Sequence, residues 1–181
     1  ALAKARPGQL NYASSGTGGA GHLATEMFSV MTGVKMQHIP YKGGGAALID
    51  LVGGQLHLHF AAPLEFIPHI KSGKLRAIAI SGEARLPALP QVPTFTEAGL
   101  RGLDIAFWQG ILAPAGTPKP IIDKISTALA RILAMPDTRE KLVFQGVEPF
   151  ISTPEQFAAL IKADLARFAK LIKAANIKLV N

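Results

Sequence analysis

The feature that most constrains this chain is a change of rhythm at Pro114-Ala115-Gly116-Thr117-Pro118. Before it, residues 9–113 alternate extended and helical patterns. After it, residues 114–181 carry helical patterns, with only a scrap of extended chain at Val147 to Ile151. A strand-helix-strand succession needs crossover connections, and these specify a parallel-rich sheet with helices on its faces. The expected fold class is therefore α/β.

Gln9 to Ser14 reads as a short strand. His22 to Thr32 reads as a helix, since Leu23, Met27 and Met31 recur at i, i+4 and i+8 and Gly33 suits the C′ position. Val34 to Ile39 and Gln55 to Phe60 alternate as strands, and Ala46 to Val52 is a short apolar helix stopped by Gly53-Gly54. Pro63 to Lys71 reads as a helix that Pro68 shortens or bends. Leu75 to Ile80 reads as a buried strand, Ser81 to Gly102 as a loop with one helical turn at Thr94 to Ala98, and Asp104 to Ala113 as a last extended run.

In the second part, Thr117 is the expected N-cap, with Pro118 at N1, of a helix reaching Ala134. Asp137 with Glu140 spells a capping box, and Thr153, Pro154 and Gln156 spell another. The last helix sets Phe157, Leu160, Ile161, Leu165, Phe168 and Ile172 on one stripe. Such stripes need a sheet to lie on, and residues 114–181 do not supply one. At the other end, Ala1 to Arg6 lacks an initiator Met and a signal peptide, and reads as the last turns of a helix that starts upstream.

Composition removes several function classes. The chain has 181 residues and no Cys, which excludes disulfides, thiolate nucleophiles and Cys-ligated zinc. No apolar run approaches the roughly 18 residues of a membrane-spanning helix. The formal charge of +7 is spread evenly: residues 1–113 hold nine basic and six acidic side chains, residues 114–181 ten and six. No basic stretch is interleaved with stacking aromatics, so nucleic acid is set aside as a partner. A mild positive field suits attraction of a small anion. The five histidines (His22, His38, His57, His59, His69) fit no metal-ligand spacing, and no G-x-S-x-G elbow frames Ser14 or Ser15. No catalytic residue, metal or cofactor is assigned.

What the chain does offer is a glycine-rich loop. Gly16, Gly18 and Gly21 match G-x-G-x-x-G between a strand and a helix, the nominal dinucleotide fingerprint. A nicotinamide site wants an acidic residue about twenty positions on, and His38, Ile39 and Pro40 stand there instead. What survives is an anion-favouring helix N-terminus with Ser14, Ser15 and Thr17 as hydroxyl donors. Tyr41-Lys42-Gly43-Gly44-Gly45 follows the next strand at the same end of the sheet, where Lys42 offers charge and Tyr41 a hydroxyl or a ring face. Trp108, the sole Trp, lies where the α/β part gives way to the helical part; core filler or a ligand wall both suit it.

Taken in order, LNYASSGTGGAGHLATEMF, HIPYKGGGAALIDLVGGQ, PHIKSGKLRAIAISGEARLPALPQVPTFTEAGL and FWQGILAPAGTP resemble the periplasmic solute-binding proteins of tripartite tricarboxylate transporters, the TctC or Bug (Bordetella uptake gene) family. The resemblance runs from about Pro7 to the C-terminus. It implies a two-lobed binder that closes on a carboxylated metabolite without covalent chemistry, works in the periplasm and delivers to membrane components of a transporter. The family's chain normally begins with about a hundred more residues, an ordinary two-domain length. On that basis residues 7–107 are a complete lobe two, residues 108–113 the inter-lobe crossing, and residues 114–181 the helical remainder of an incomplete lobe one.

The same resemblance implies a ligand site. The loop Ser14, Ser15, Gly16, Thr17, Gly18 and Gly19, with the helix start at His22, corresponds to the carboxylate clamp. Gly19 stands where the family often has Thr, so one hydroxyl is lost. Tyr41, Lys42 and Gly43 match the second cleft loop, and Trp108 a family aromatic at the crossing. Many members carry an Asp-Asn pair where this chain has Ala61 and Ala62, which implies that amino acids are poor ligands. Two other readings are carried forward: a Rossmann-like nucleotide-binding enzyme, and a chain that oligomerises by burying its C-terminal helix stripes on a neighbouring copy.

Overall fold

The computed structural model describes residues 2–103, 108–174 and 177. After a short helix α1 (Leu2–Ala5), the chain builds β1 (Asn11–Ser14), α2 (Ala20–Thr32), β2 (Gln37–Pro40), α3 (Gly44–Val52) and β3 (Leu58–His59). The strands form one sheet in the order β2-β1-β3, with both pairs parallel. The register sets Tyr12 beside His38 on one side and beside Leu58 on the other, then Ala13 beside Ile39 and His59.

This order follows from the pleat and from handedness. Successive side chains of a strand point to opposite faces. Tyr12 bonds Glu26 of α2, whereas Ala13 packs on Ala47 of α3. The two helices thus cover opposite faces, as right-handed crossovers demand when the chain moves outward from β1 to β2 and then back across it to β3. Gly33 ends α2 in the left-handed region at φ 65°, the conformation its place in the sequence predicts.

Three small clusters hold this part together. Ala13, Ala47 and Leu56 bury between sheet and α3, with Ile39, Tyr41 and Leu51 around them. Ala24 and Leu103 bury beneath α2 among Met27, Phe28, Phe60, Phe95, Leu100 and Phe168. Ile67, Leu89 and Val92 form a third cluster under α4 (Ile67–Lys71).

Several expected elements differ in extent or kind. The second and third strands are shorter than their alternating patterns: β2 spans the four residues that pair with β1, and in β3 only Leu58 and His59 pair with it. The helix expected from Pro63 begins only at Ile67, with Pro68 in its first turn, where the missing N–H costs nothing. Leu75 to Ile80 is not a buried strand: Ile78 is 66% exposed, and the segment makes one isolated bridge, Ile80 to Thr94. An apolar run becomes a strand only where a neighbour accepts its backbone bonds. Thr94 and Glu97 cap a single turn reciprocally, within the turn expected at Thr94 to Ala98. Of the extended run from Asp104, residues 104–107 lie outside the described residues, as does the boundary at 107; residues 108–113 carry no regular structure.

The remainder is helical: α5 (Lys119–Ala134), α6 (Pro136–Phe144) and α7 (Pro154–Ala174). Thr117 is not the cap of α5. Pro118 takes that position, and the Thr117 hydroxyl donates to the Pro114 carbonyl at 2.8 Å. The Asp137–Glu140 box also fails to form, since Pro136 starts α6 one residue earlier and Met135 becomes the N-cap. The Thr153–Gln156 box forms in full, at 2.9 and 3.2 Å. Along α7, Leu165 is 68% exposed, while Asp164 sits mid-stripe and accepts the Trp108 indole N–H at 2.7 Å. None of these three helices buries a residue fully, and Ile121, Ile125, Ile132 and Phe144 stand exposed. Among the described residues no helix is long and apolar enough to cross a membrane.

Candidate functional site

In a sheet of order 2-1-3 the chain reverses direction between β1 and β3, and the loops leaving the carboxyl ends of those strands diverge to opposite faces. The crevice between them is where open α/β sheets bind ligands. Here residues 15–19 follow β1 and Phe60, Ala61 and Ala62 follow β3. The start of α2 presses against the end of β3: a Cβ at Gly21 would overlap the Phe60 carbonyl oxygen. The third glycine of the G-x-G-x-x-G pattern therefore serves close helix-strand packing. The loop after β2 is joined to the first by backbone bonds, from Tyr41 N–H to Ser14 O at 3.0 Å and from Gly43 N–H to Ser15 O at 3.2 Å.

The three hydroxyls do not act alike. Ser14 is fully buried, and its Oγ lies 3.0 Å from Gly16 O and 2.6 Å from His38 Nε2. Ser15 and Thr17 are exposed, and their hydroxyls and amides make no intramolecular hydrogen bond among the described residues. Gly18, at φ 79°, turns the loop back so that its N–H donates to His22 Nδ1 at 3.0 Å. Gly19 caps α2 without a side-chain bond, which leaves the first-turn amides unfilled and no acidic residue beside them.

The other expected residues fall into two groups. Lys42 is exposed at the same end of the sheet, and Gly43 precedes α3. The Tyr41 hydroxyl is already committed, donating to Asp50 Oδ2 at 2.6 Å, and that bond raises its pKa. Glu65 brings a carboxylate against Gly44, 3.1 Å from where a Cβ would stand, so the N-terminus of α3 has an acidic neighbour. Trp108 is held on α7, edge-on to Phe157 at 5.1 Å and bonded to Asp164.

Behind the loop lies an arrangement that sequence patterns did not single out. Tyr12, His38 and His22 stack, with ring centroids 4.9 Å apart for the first pair and 3.9 Å for the second. The Tyr12 hydroxyl donates to Glu26 at 2.5 Å; burial and that bond raise its pKa. Burial lowers the pKa of both histidines. For His38 burial together with its neighbour His22 brings it down to about 4, while Glu26 partly offsets the effect at His22. Below its ordinary value of 6.5 the unfolded chain takes up protons that the folded chain resists, so stability is lost as pH falls from 6.5 towards 4. One pKa unit corresponds to about 1.4 kcal/mol; solvent screening at this partly exposed ring reduces that, so the expected loss over that window is on the order of 1–2 kcal/mol. Denaturant titrations from pH 7.5 to 4.5 measure it. A flat profile over that range would contradict the assignment.

The sequence matches, over residues 1–177, the family described as the tripartite tricarboxylate transporter family receptor. Three solved structures are similar over nearly the whole chain. Rpa4515 of R. palustris with adipate is 36% identical, with a TM-score of 0.91 over 99% of this chain and 60% of that one. The periplasmic binding protein BugD is 35% identical, with a TM-score of 0.87 over 98% and 60%. MatC from Rhodopseudomonas palustris with bound malate is 31% identical, with a TM-score of 0.82 over 94% and 59%. The chain spans about half the length of the curated relatives it matches. With its α/β fold, its parallel sheet and a match along nearly its full length, the chain belongs to the TctC family of solute-binding receptors.

Proposed function

We propose that this chain is the ligand-binding part of a periplasmic receptor that captures a small carboxylate non-covalently and delivers it to the membrane components of its transporter. The observation that carries the reading is the set of unfilled donors at the β1–β3 crevice: Ser15, Thr17 and the first-turn amides of α2. They belong to the loop that opens α2 and to its first turn, where helix partial charge favours an anion. Adipate and malate in two similar structures are small carboxylates of the size such a loop holds. Residues 14–19, the backbone at His22, and Tyr41, Lys42 and Gly43 form one wall, with Trp108 at the crossing to the second lobe. On this reading residues 7–107 are one lobe, 108–113 the crossing and 114–181 part of the other. No residue performs covalent chemistry.

Ala61 and Ala62 supply no carboxylate after β3, so a ligand ammonium at that position would lose hydration without gaining a partner from them. Calorimetry with adipate and 2-aminoadipate is the test. Adipate is expected to bind at least about tenfold more tightly, a difference of about 1.4 kcal/mol. Tighter binding of the amino acid would overturn the specificity, and binding of neither would overturn the carboxylate reading. The exposed apolar residues of α5 to α7 favour self-association of the chain; sedimentation of the calorimetry sample as a monomer at micromolar concentration would exclude it.

A further inference from the structure

His22 and His38 are titratable, stack on one another behind the loop, and bond it through Gly18 N–H and Ser14 Oγ. His22 is 5% exposed. Its Nδ1 accepts the Gly18 N–H, so its own proton sits on Nε2. Ser14 Oγ has three neighbours: Gly16 N–H at 3.3 Å, Gly16 O at 3.0 Å and His38 Nε2 at 2.6 Å. A hydroxyl has one proton and two lone pairs. All three contacts are satisfied together when the hydroxyl donates to Gly16 O while Gly16 N–H and His38 Nε2–H both donate to it. Both rings then carry their proton on Nε2.

We propose that His22 and His38 are positioning residues that sort the donors of the loop. Stacked and neutral, they hold the Gly18 amide and the Ser14 hydroxyl inward and leave Ser15, Thr17 and the α2 amides for the ligand. The inference rests on the reading that the carboxylate sits on this loop. The titratable groups facing the pair are Tyr12 from β1 and Glu26 from α2, which bond one another and fix the outer end of the stack. A proton added to His22 would place an N–H at Nδ1 opposite the Gly18 N–H, donor against donor. It would also set a charge against the His38 ring at 3.9 Å. The turn at Gly18 would lose its tether, and the loop its set of directions.

The side chains of Asn and Leu separate this role from simple packing. Asn presents Oδ1 near the place of Nδ1, so His22→Asn keeps an acceptor for Gly18, whereas His22→Leu keeps volume without one. In 15N-histidine spectra of the 181-residue chain at pH 7.5, both rings are expected as neutral Nε2–H tautomers, and both are expected to take up their second proton at a lower pH than an ordinary imidazole. Amide exchange at Gly18 is expected to quicken at least about tenfold in His22→Leu and to be restored in His22→Asn. Adipate affinity at pH 7.5 is expected to fall about tenfold in His22→Leu and to recover to within about threefold in His22→Asn, the scale of one hydrogen bond near a charge. A proton on Nδ1 of His22, or equal Gly18 exchange in the two variants, overturns the proposal. If the parent chain binds no adipate, the carboxylate reading fails by itself, and the tautomer and the Gly18 exchange still decide the role of the histidines.

Discussion

Gly21→Ala is expected to lower the stability of the chain by about 1–3 kcal/mol, the cost of forcing a methyl group into packed backbone. The added Cβ would overlap the Phe60 carbonyl oxygen, a backbone atom that cannot rotate away. Relief requires α2 to shift off β3, and α2 carries the loop amides with it. The variant should therefore lose carboxylate affinity along with stability. For a chain of this length each kcal/mol corresponds to about 2–4 °C in Tm, so a fall of roughly 2–12 °C is expected in a thermal melt followed by circular dichroism. Gly45→Ala is the matched control: it sits in α3 with open space around it and is expected to gain roughly 0.5–1 kcal/mol, as alanine does over glycine in a helix. Gly21→Ala melting with the parent would show that the α2–β3 contact is looser than its geometry.

Phe168→Ala should have the next largest effect. Phe168 reaches from α7 into the cluster of Ala24 and Leu103, with Met27, Phe28, Phe60, Phe95 and Leu100 around it. It is the residue through which the helical part joins that core. Truncating a buried Phe costs about 3–5 kcal/mol; the partial burial here reduces the expectation to about 2–3 kcal/mol. The loss should be local. Amide exchange along α7 is expected to quicken far more than in β1, because the sheet clusters do not involve this ring. Leu165→Ala, one turn away and exposed, is expected to stay within about 0.5 kcal/mol of the parent. Uniform loss of protection across α7 and β1 would mean that the two parts unfold as one unit.

Features written in short range were legible in the sequence. The order β1-α2-β2-α3-β3 followed from alternation and glycine punctuation. The Thr153–Gln156 box followed from three residues of spacing, and the end of α2 from Gly33. Features that depend on distant partners were not. Leu75 to Ile80 has the composition of a buried strand but gains only one bridge. The caps at Thr117 and Asp137 were displaced by neighbouring prolines, whose fixed φ sets the helix start before a side chain can. In the loop, Ser15 and Thr17 are exposed with no intramolecular partner for their hydroxyls among the described residues, while Ser14 and Tyr41 commit theirs to His38 and Asp50. The histidine stack needed the β1–β2 register, which sets Tyr12 beside His38, and the first turn of α2, which returns His22 to the same face. No local motif spells that coincidence.

The two backbone bonds that tie the loops together, Tyr41 N–H to Ser14 O and Gly43 N–H to Ser15 O, have a thermodynamic consequence. They continue the β1–β2 ladder past the ends of the strands, so both loops surrender their conformational freedom when the chain folds. Little is left to surrender when a ligand arrives. If the proposed carboxylate binds at this end of the sheet, its capture should accordingly carry a small entropic penalty, and discrimination between ligands should register in the enthalpy of the few bonds they make.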